Sequence, residues 1–276
     1  MHSFRLRASL FATLTAAVLF ATSSSADHSW GSYHWARTSN PFNLKTGDNV
    51  DAKWDAYLDG AIADWTNAAE LNMVKVPGGA KPRNCRPTAG QIEVCNETYG
   101  NTGWLGIAQI WASGSHITQA VTKLNDSYFN TATYNTPAWR RLVACQEVAH
   151  DFGLDHQDET FANTNLGSCM DYTNDPDGGG VYGPSNEHPN AHDFEQISII
   201  YAHLDSTSTL SAALPESAPA AMSDIDFEGP NQWGRLVRSS RSNRVQVYEL
   251  DFGHGQKIIT HVFWADPERD ARGANR

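Results

Sequence analysis

Apolar positions along the chain divide it into segments of two periods. Val50, Trp54, Leu58, Ala61 and Trp65 recur at intervals of three and four with aspartates between them, which predicts an amphipathic helix over 48–68. Leu71 to Val76, ending at Pro77-Gly78-Gly79, and Gln91 to Cys95 read as strands. Trp104 to Trp111 and Ile117 to Leu124 read the same way. The best-marked element follows. Thr136 suits an N-cap, Pro137 the first helical position and Gly153 a left-handed end, with Leu142, Val143, Ala149 and Phe152 as the buried stripe. A third helix starts at Asn190, with Asp193 near its positive end and Phe194, Ile197, Ile200, Tyr201 and Leu204 facing inward. Gly234 to Ser239, Arg244 to Phe252 and Lys257 to Ala265 are three further short strands, turning at Arg241-Ser242-Asn243 and Gly253-His254-Gly255.

Helices interleaved with strands predict an α+β fold, a twisted mixed sheet with helices packed on it. Residues 1–26 stand apart. Arg5 and Arg7, an apolar stretch from Ala8 to Ala21 and the small residues Ser24-Ser25-Ala26 have the three parts of a signal peptide, and the apolar stretch is too short for a bilayer span. The expected organisation is a leader at 1–26, a main domain at 27–205 and a Ser/Ala/Pro-rich linker at 206–226. A small β segment at 227–266 and a polar tail at 267–276 follow. The small segment is expected to pack on the main domain, because three strands rarely stand alone.

Charge and cysteines narrow the class of protein. Loss of Arg5 and Arg7 moves the formal net charge from −11 to −13, which disfavours phosphate backbones and anionic lipid, so neither nucleic acid nor membrane is an expected partner. Cys85, Cys95, Cys145 and Cys169 are an even set in an exported chain. Of three connectivities we favour Cys85–Cys95, close in sequence, and Cys145–Cys169, tying a helix to a later turn. The expected location is extracellular and the expected state a monomer.

The candidate chemistry lies in the second helix, in Gln146-Glu147-Val148-Ala149-His150-Asp151-Phe152-Gly153-Leu154-Asp155-His156. This stretch resembles the metzincin zinc signature H-E-x-x-H-x-x-G-x-x-H at every defining position but the first, where Gln146 replaces His. Ser168-Cys169-Met170-Asp171-Tyr172 is similar to the family's methionine turn. Residues 146 and 150 share a helix face, Glu147 is offset by about a hundred degrees, and Gly153 lets the chain turn back so that His156 approaches. The resemblance implies one catalytic Zn2+ held by Gln146, His150 and His156. It further implies Glu147 as general base, Tyr172 as oxyanion stabiliser or further ligand, and Met170 as an apolar floor. The activity implied is that of a secreted endopeptidase acting on protein or peptide. A catalytically inactive binding protein on the same scaffold is the alternative.

Gln146 leaves three readings open, since a neutral amide oxygen is a poorer partner for zinc than imidazole. It is a working ligand, a spectator beside two histidines, or the mark of lost catalysis. His188 and His192, four apart, could supply a substitute but for Pro189 between them. Asp155, Asp158, Glu159, Asp175 and Asp177 offer carboxylates without the spacing of a calcium loop, so Ca2+ has no sequence support. The resemblance also implies an edge strand that pairs with extended substrate, for which Leu105 to Trp111 is the candidate.

Overall fold

The computed structural model describes residues 28–210, 222, 229–240 and 242–266. The leader, most of the linker and the polar tail lie outside these residues. A mixed sheet carries the fold. Its strands are β1 (His34–Trp35), β2 (Phe42–Asn49), β3 (Leu71–Pro77), β4 (Gln91–Glu97), β5 (Trp104–Ser113), β6 (His116–Asn125), β7 (Arg235–Ser239), β8 (Val245–Asp251) and β9 (Gln256–Trp264). The order is β3-β2-β4-β6-β5-β9-β8-β7, with β1 on β6. The strands β3, β2, β4 and β6 run parallel, and those from β5 to β7 alternate.

Two helices pack together over this sheet, α1 (Asp55–Trp65) and α3 (Pro137–His150), with α3 lying against β5 and β6. A short α2 (Asp126–Phe129) precedes them in space at the end of β6, and α4 (Ala191–Ile200) follows the site loops. The indole N–H groups of buried tryptophans fix the layers. Trp65 donates to the Cys145 carbonyl (3.0 Å) and Trp35 to that of Asp151 (3.0 Å), so α1 and β1 are both tied to α3. A second apolar cluster, including Trp104, Ile107, Trp111, Trp233, Ile258 and Val262, is built from β5, β9 and the segment before β7.

Sequence expectation and structure differ in several places, among them Leu204, which is exposed beyond the end of α4 rather than buried on it. Helix α1 begins at Asp55 rather than at 48, because residues 42–49 form β2, hydrogen-bonded between β3 and β4. The start of the linker is packed structure. Thr209 N–H donates to the Ala36 carbonyl (2.9 Å). Finally, the C-terminal strands are not a separate small sheet laid on the domain. They extend the main sheet, with β9 paired to β5 from Trp104 to Ser113. The strand proposed for substrate is therefore not an edge, since β6 flanks one side of it and β9 the other.

Both favoured disulfides are present, Cys85–Cys95 and Cys145–Cys169. No helix among the described residues is long and apolar enough to cross a membrane.

Candidate metal centre

Helix α3 is set up as its sequence predicts. The Thr136 hydroxyl accepts from Trp139 N–H (3.3 Å) and Pro137 fills the first turn. The helix ends at His150, and three residues on stands Gly153, whose φ of +103° is unfavourable for any residue with a side chain; an added Cβ would stand 2.4 Å from the Tyr33 carbonyl oxygen. Reversal there carries the chain to His156. The Nε2 atoms of His150 and His156 lie 3.0 Å apart. His150 donates its Nδ1–H to the Leu154 carbonyl (2.7 Å), and His156 Nδ1 is 3.1 Å from Glu159 Oε1, so both rings turn Nε2 lone pairs toward one point.

The turn at 168–172 is tied to both neighbouring helices. Ser168 Oγ donates to Asp193 Oδ2 (2.7 Å) in the capping box of α4, the 145–169 disulfide joins the turn to α3, and Met170 is buried. Tyr172 packs its ring 4.4 Å from that of His156, centre to centre.

A third imidazole enters from the far end of the chain. On β9, Ile259, His261 and Phe263 share one face, and His261 stands 3.9 Å from the His150 ring and 4.5 Å from the His156 ring. The ligand atoms of His150, His156 and His261 all lie within 4.8 Å of one another. His261 lies outside the signature and is not among the residues expected from it. Its signal was a histidine in the middle of a strand face that is otherwise apolar, where a buried imidazole needs a partner.

Several polar atoms of these residues and of the adjoining turn of α3 are buried without a hydrogen-bond partner, although His261 Nδ1 and Glu147 Oε2 face each other at 3.9 Å. They are both amide atoms of Gln146, both carboxyl oxygens of Glu147, the Tyr172 hydroxyl and both ring nitrogens of His261. Unpaired buried polar groups typically cost about 1–3 kcal/mol each, and several on neighbouring residues of one site are rare in folded proteins. Three converging imidazoles and a set of orphaned oxygens fit a divalent ion of zinc's preferences. The structure thus brings His150, His156 and His261 together, with Glu147 beside His261 (3.9 Å) and Tyr172 against His156, while Gln146 is buried one helical turn before His150. By contrast His188 pairs with Asp64 (2.7 Å) and His192 stacks on His28, so neither substitutes for Gln146.

Electrostatics agree with the geometry. Burial holds the imidazoles of His156 and His261 well below the usual histidine range and that of His150 down to about 4, so all three are neutral with free lone pairs at neutral pH. Burial, and then Asp151, raise the Glu147 carboxyl well above the carboxylate range, and a positive charge in the centre would return it to the ionised form. Arg238 of β7 forks onto Asp155 with two contacts of 2.5 Å, a second tie between the C-terminal strands and the site loop.

Strand β5 meets α3 closely at Gly106, where an added Cβ would lie 2.7 Å from Glu147 Cγ and 2.8 Å from Val143 Cγ1. Gly106→Ala is therefore expected to push Glu147 off its position, at a cost of about 1–3 kcal/mol. Chemical denaturation beside a zinc-binding assay would check this; unchanged stability would show that the contact has slack.

No family model and no curated protein matches this chain. Among solved structures it is similar to high choriolytic enzyme 1, a hatching enzyme zinc-protease from Oryzias latipes (medaka fish). Identity is 13% and the TM-score 0.34, over 63% of this chain and 96% of that one. Likeness of that size says nothing of what this chain binds or does.

Proposed function

We propose that the chain is a zinc-dependent endopeptidase, seen here in a closed state. The observation that carries this is the convergence of His150, His156 and His261 at one buried point, with Glu147 beside His261 and Tyr172 against His156. In the closed state the three imidazoles would hold the ion. Bound zinc supplies Lewis-acid polarisation of the scissile carbonyl and makes an attacking water more acidic. Glu147 takes the proton from that water and passes it to the leaving amine as the C–N bond breaks. The Tyr172 hydroxyl, buried and uncommitted, is placed to donate to the oxygen that gains charge in the transition state.

An extended peptide can pair with β5 only where β9 now lies, so turnover requires β9 to leave. Its departure withdraws His261 and leaves Gln146, His150 and His156 as the ligand set of the open state. On this account Gln146 is a weak third ligand that works when the strong one is gone.

A second reading is favoured by the same β9 pairing and by the burial of Glu147, Tyr172 and His261. In it the centre is permanently closed and the chain is a binding protein. Cleavage of an unstructured protein by the zinc-loaded chain, with a chelator control, separates the two. Chelator-sensitive cleavage supports the peptidase; none at any zinc concentration supports the second reading.

A further inference from the structure

A different group of histidines lies where the first strand, the β5–β6 turn and the chain after α4 meet. His34 is in β1, His116 is its register partner at the start of β6, and His203 and Asp205 follow α4. The Nε2 atoms of His34, His116 and His203 lie 3.3, 3.2 and 3.6 Å from Asp205 Oδ1, and those of His34 and His203 are 3.2 Å apart. Zinc bonds of about 2.0–2.2 Å in a tetrahedron put neighbouring ligand atoms about 3.3–3.5 Å apart. The three edges among His34, His203 and Asp205 measure 3.2–3.6 Å, close to that length, and His116 joins the group through Asp205 Oδ1.

Hydrogen bonding argues for a cation in the gap. His34 Nδ1 lies 2.8 Å from the Ser32 carbonyl, which can only accept, so Nδ1 carries the proton. In a neutral ring Nε2 then turns a lone pair toward the lone pairs of Asp205 Oδ1. A cation between them removes that repulsion, and Ser32 acts as the outer partner that fixes the tautomer of a metal-bound histidine. Asp205 is itself held from behind. Its other oxygen accepts from Arg37 N–H (3.1 Å) and Arg37 Nη1 (3.0 Å), which aims Oδ1 at the three rings.

We infer that His34, His116, His203 and Asp205 form a second, structural zinc site, separate from the buried centre. His34, His203 and Asp205 supply three converging ligand atoms, and His116, already on Asp205, would complete four-coordination as in structural sites. The site staples the beginning of the described fold to the segment after α4, a join that neither disulfide makes. His203 is more than half exposed and His116 about a third, so the ion can enter from solvent.

The test is zinc content and thermal unfolding of the full chain. We expect two zinc ions per chain, with His203→Gln and His116→Gln each removing one equivalent and most of the zinc-dependent rise in unfolding temperature that it confers. His150→Ala should remove the other equivalent. Because His203 is exposed, its replacement leaves the fold intact, and cobalt substitution gives a second readout in a visible band lost with either variant. Wild-type zinc content and cobalt spectrum in both Gln variants would overturn the site. One zinc per chain, lost in His150→Ala and kept in His203→Gln, would overturn it while leaving the buried centre standing. Two equivalents with neither lost in His150→Ala would count against the buried centre alone.

Discussion

Glu147→Gln is expected to lower peptide hydrolysis by about 10²–10⁴-fold, the usual contribution of a general base, while leaving zinc bound. The side chain is buried on α3, and none of its four nearest helical neighbours offers another carboxylate except Asp151. Asp151 cannot replace it, because Thr122 Oγ1 donates to Asp151 Oδ2 (2.7 Å) and so fixes that carboxyl toward β6. Glutamine keeps the shape and polarity of the residue, so a loss of rate reports the lost base rather than a collapsed site. Initial rates on an unstructured protein, with zinc content measured on the same samples, make the comparison. Full activity in the variant would mean that some other group takes the proton.

The second large effect concerns β9. Gln109 and Thr260 are register partners on β5 and β9, and their side chains are hydrogen-bonded (3.0 Å). They lie on the face of Ile107, Trp111, Ile258 and Val262, opposite the face that carries His261, because strand residues alternate. Directly opposed residues of antiparallel strands are about 4.5–5.5 Å apart at Cα, within the range a disulfide spans. Gln109→Cys with Thr260→Cys should therefore staple β9 in place without touching the metal centre. Oxidised, this variant is expected to retain zinc and lose at least tenfold in cleavage. Mild reduction should restore the rate, with wild type as control for its own two disulfides. Cleavage by the oxidised form at the wild-type rate would show that substrate reaches the centre without displacing β9.

Much of the site was legible because its information is local. Thr136, Pro137 and Gly153 bound a single helix, and the spacing of 146, 147, 150 and 156 follows from the helix pitch and one glycine. Asn190 and Asp193 announce the start of α4 in the same way. The positions of β3, β4, β5 and β6 could be read from apolar runs. What those runs could not tell is which strands become neighbours. The alternation in Lys257 to Ala265 shows that one face is buried, yet pairing of β9 with β5 joins residues about 150 positions apart and depends on the whole sheet. His261 was therefore invisible as a site residue even though its strand was expected. The β2 strand was missed for a different reason. Phe42, Leu44 and Thr46 do alternate inward, but the helical period of Val50 to Trp65 extends a helix back over residues that the sheet claims.

Pairing of β9 with β5 also explains how a chain with glutamine at the first signature position builds a three-imidazole centre. On the proposed account Gln146 of α3 and His261 of β9 would compete for one ion, and His261 is the one that stands with His150 and His156. This makes the ligand set the central claim, and zinc competition titration its most direct test. Measured in a His203→Ala background, so that the buried centre alone is read, His261→Ala should weaken zinc binding by a hundredfold or more. That exceeds the 10–100-fold that losing an outer-shell partner costs, and Gln146→Ala should matter far less. Unaltered affinity in His261→Ala, with binding lost in Gln146→Ala, would contradict the account and return the third ligand to the helix.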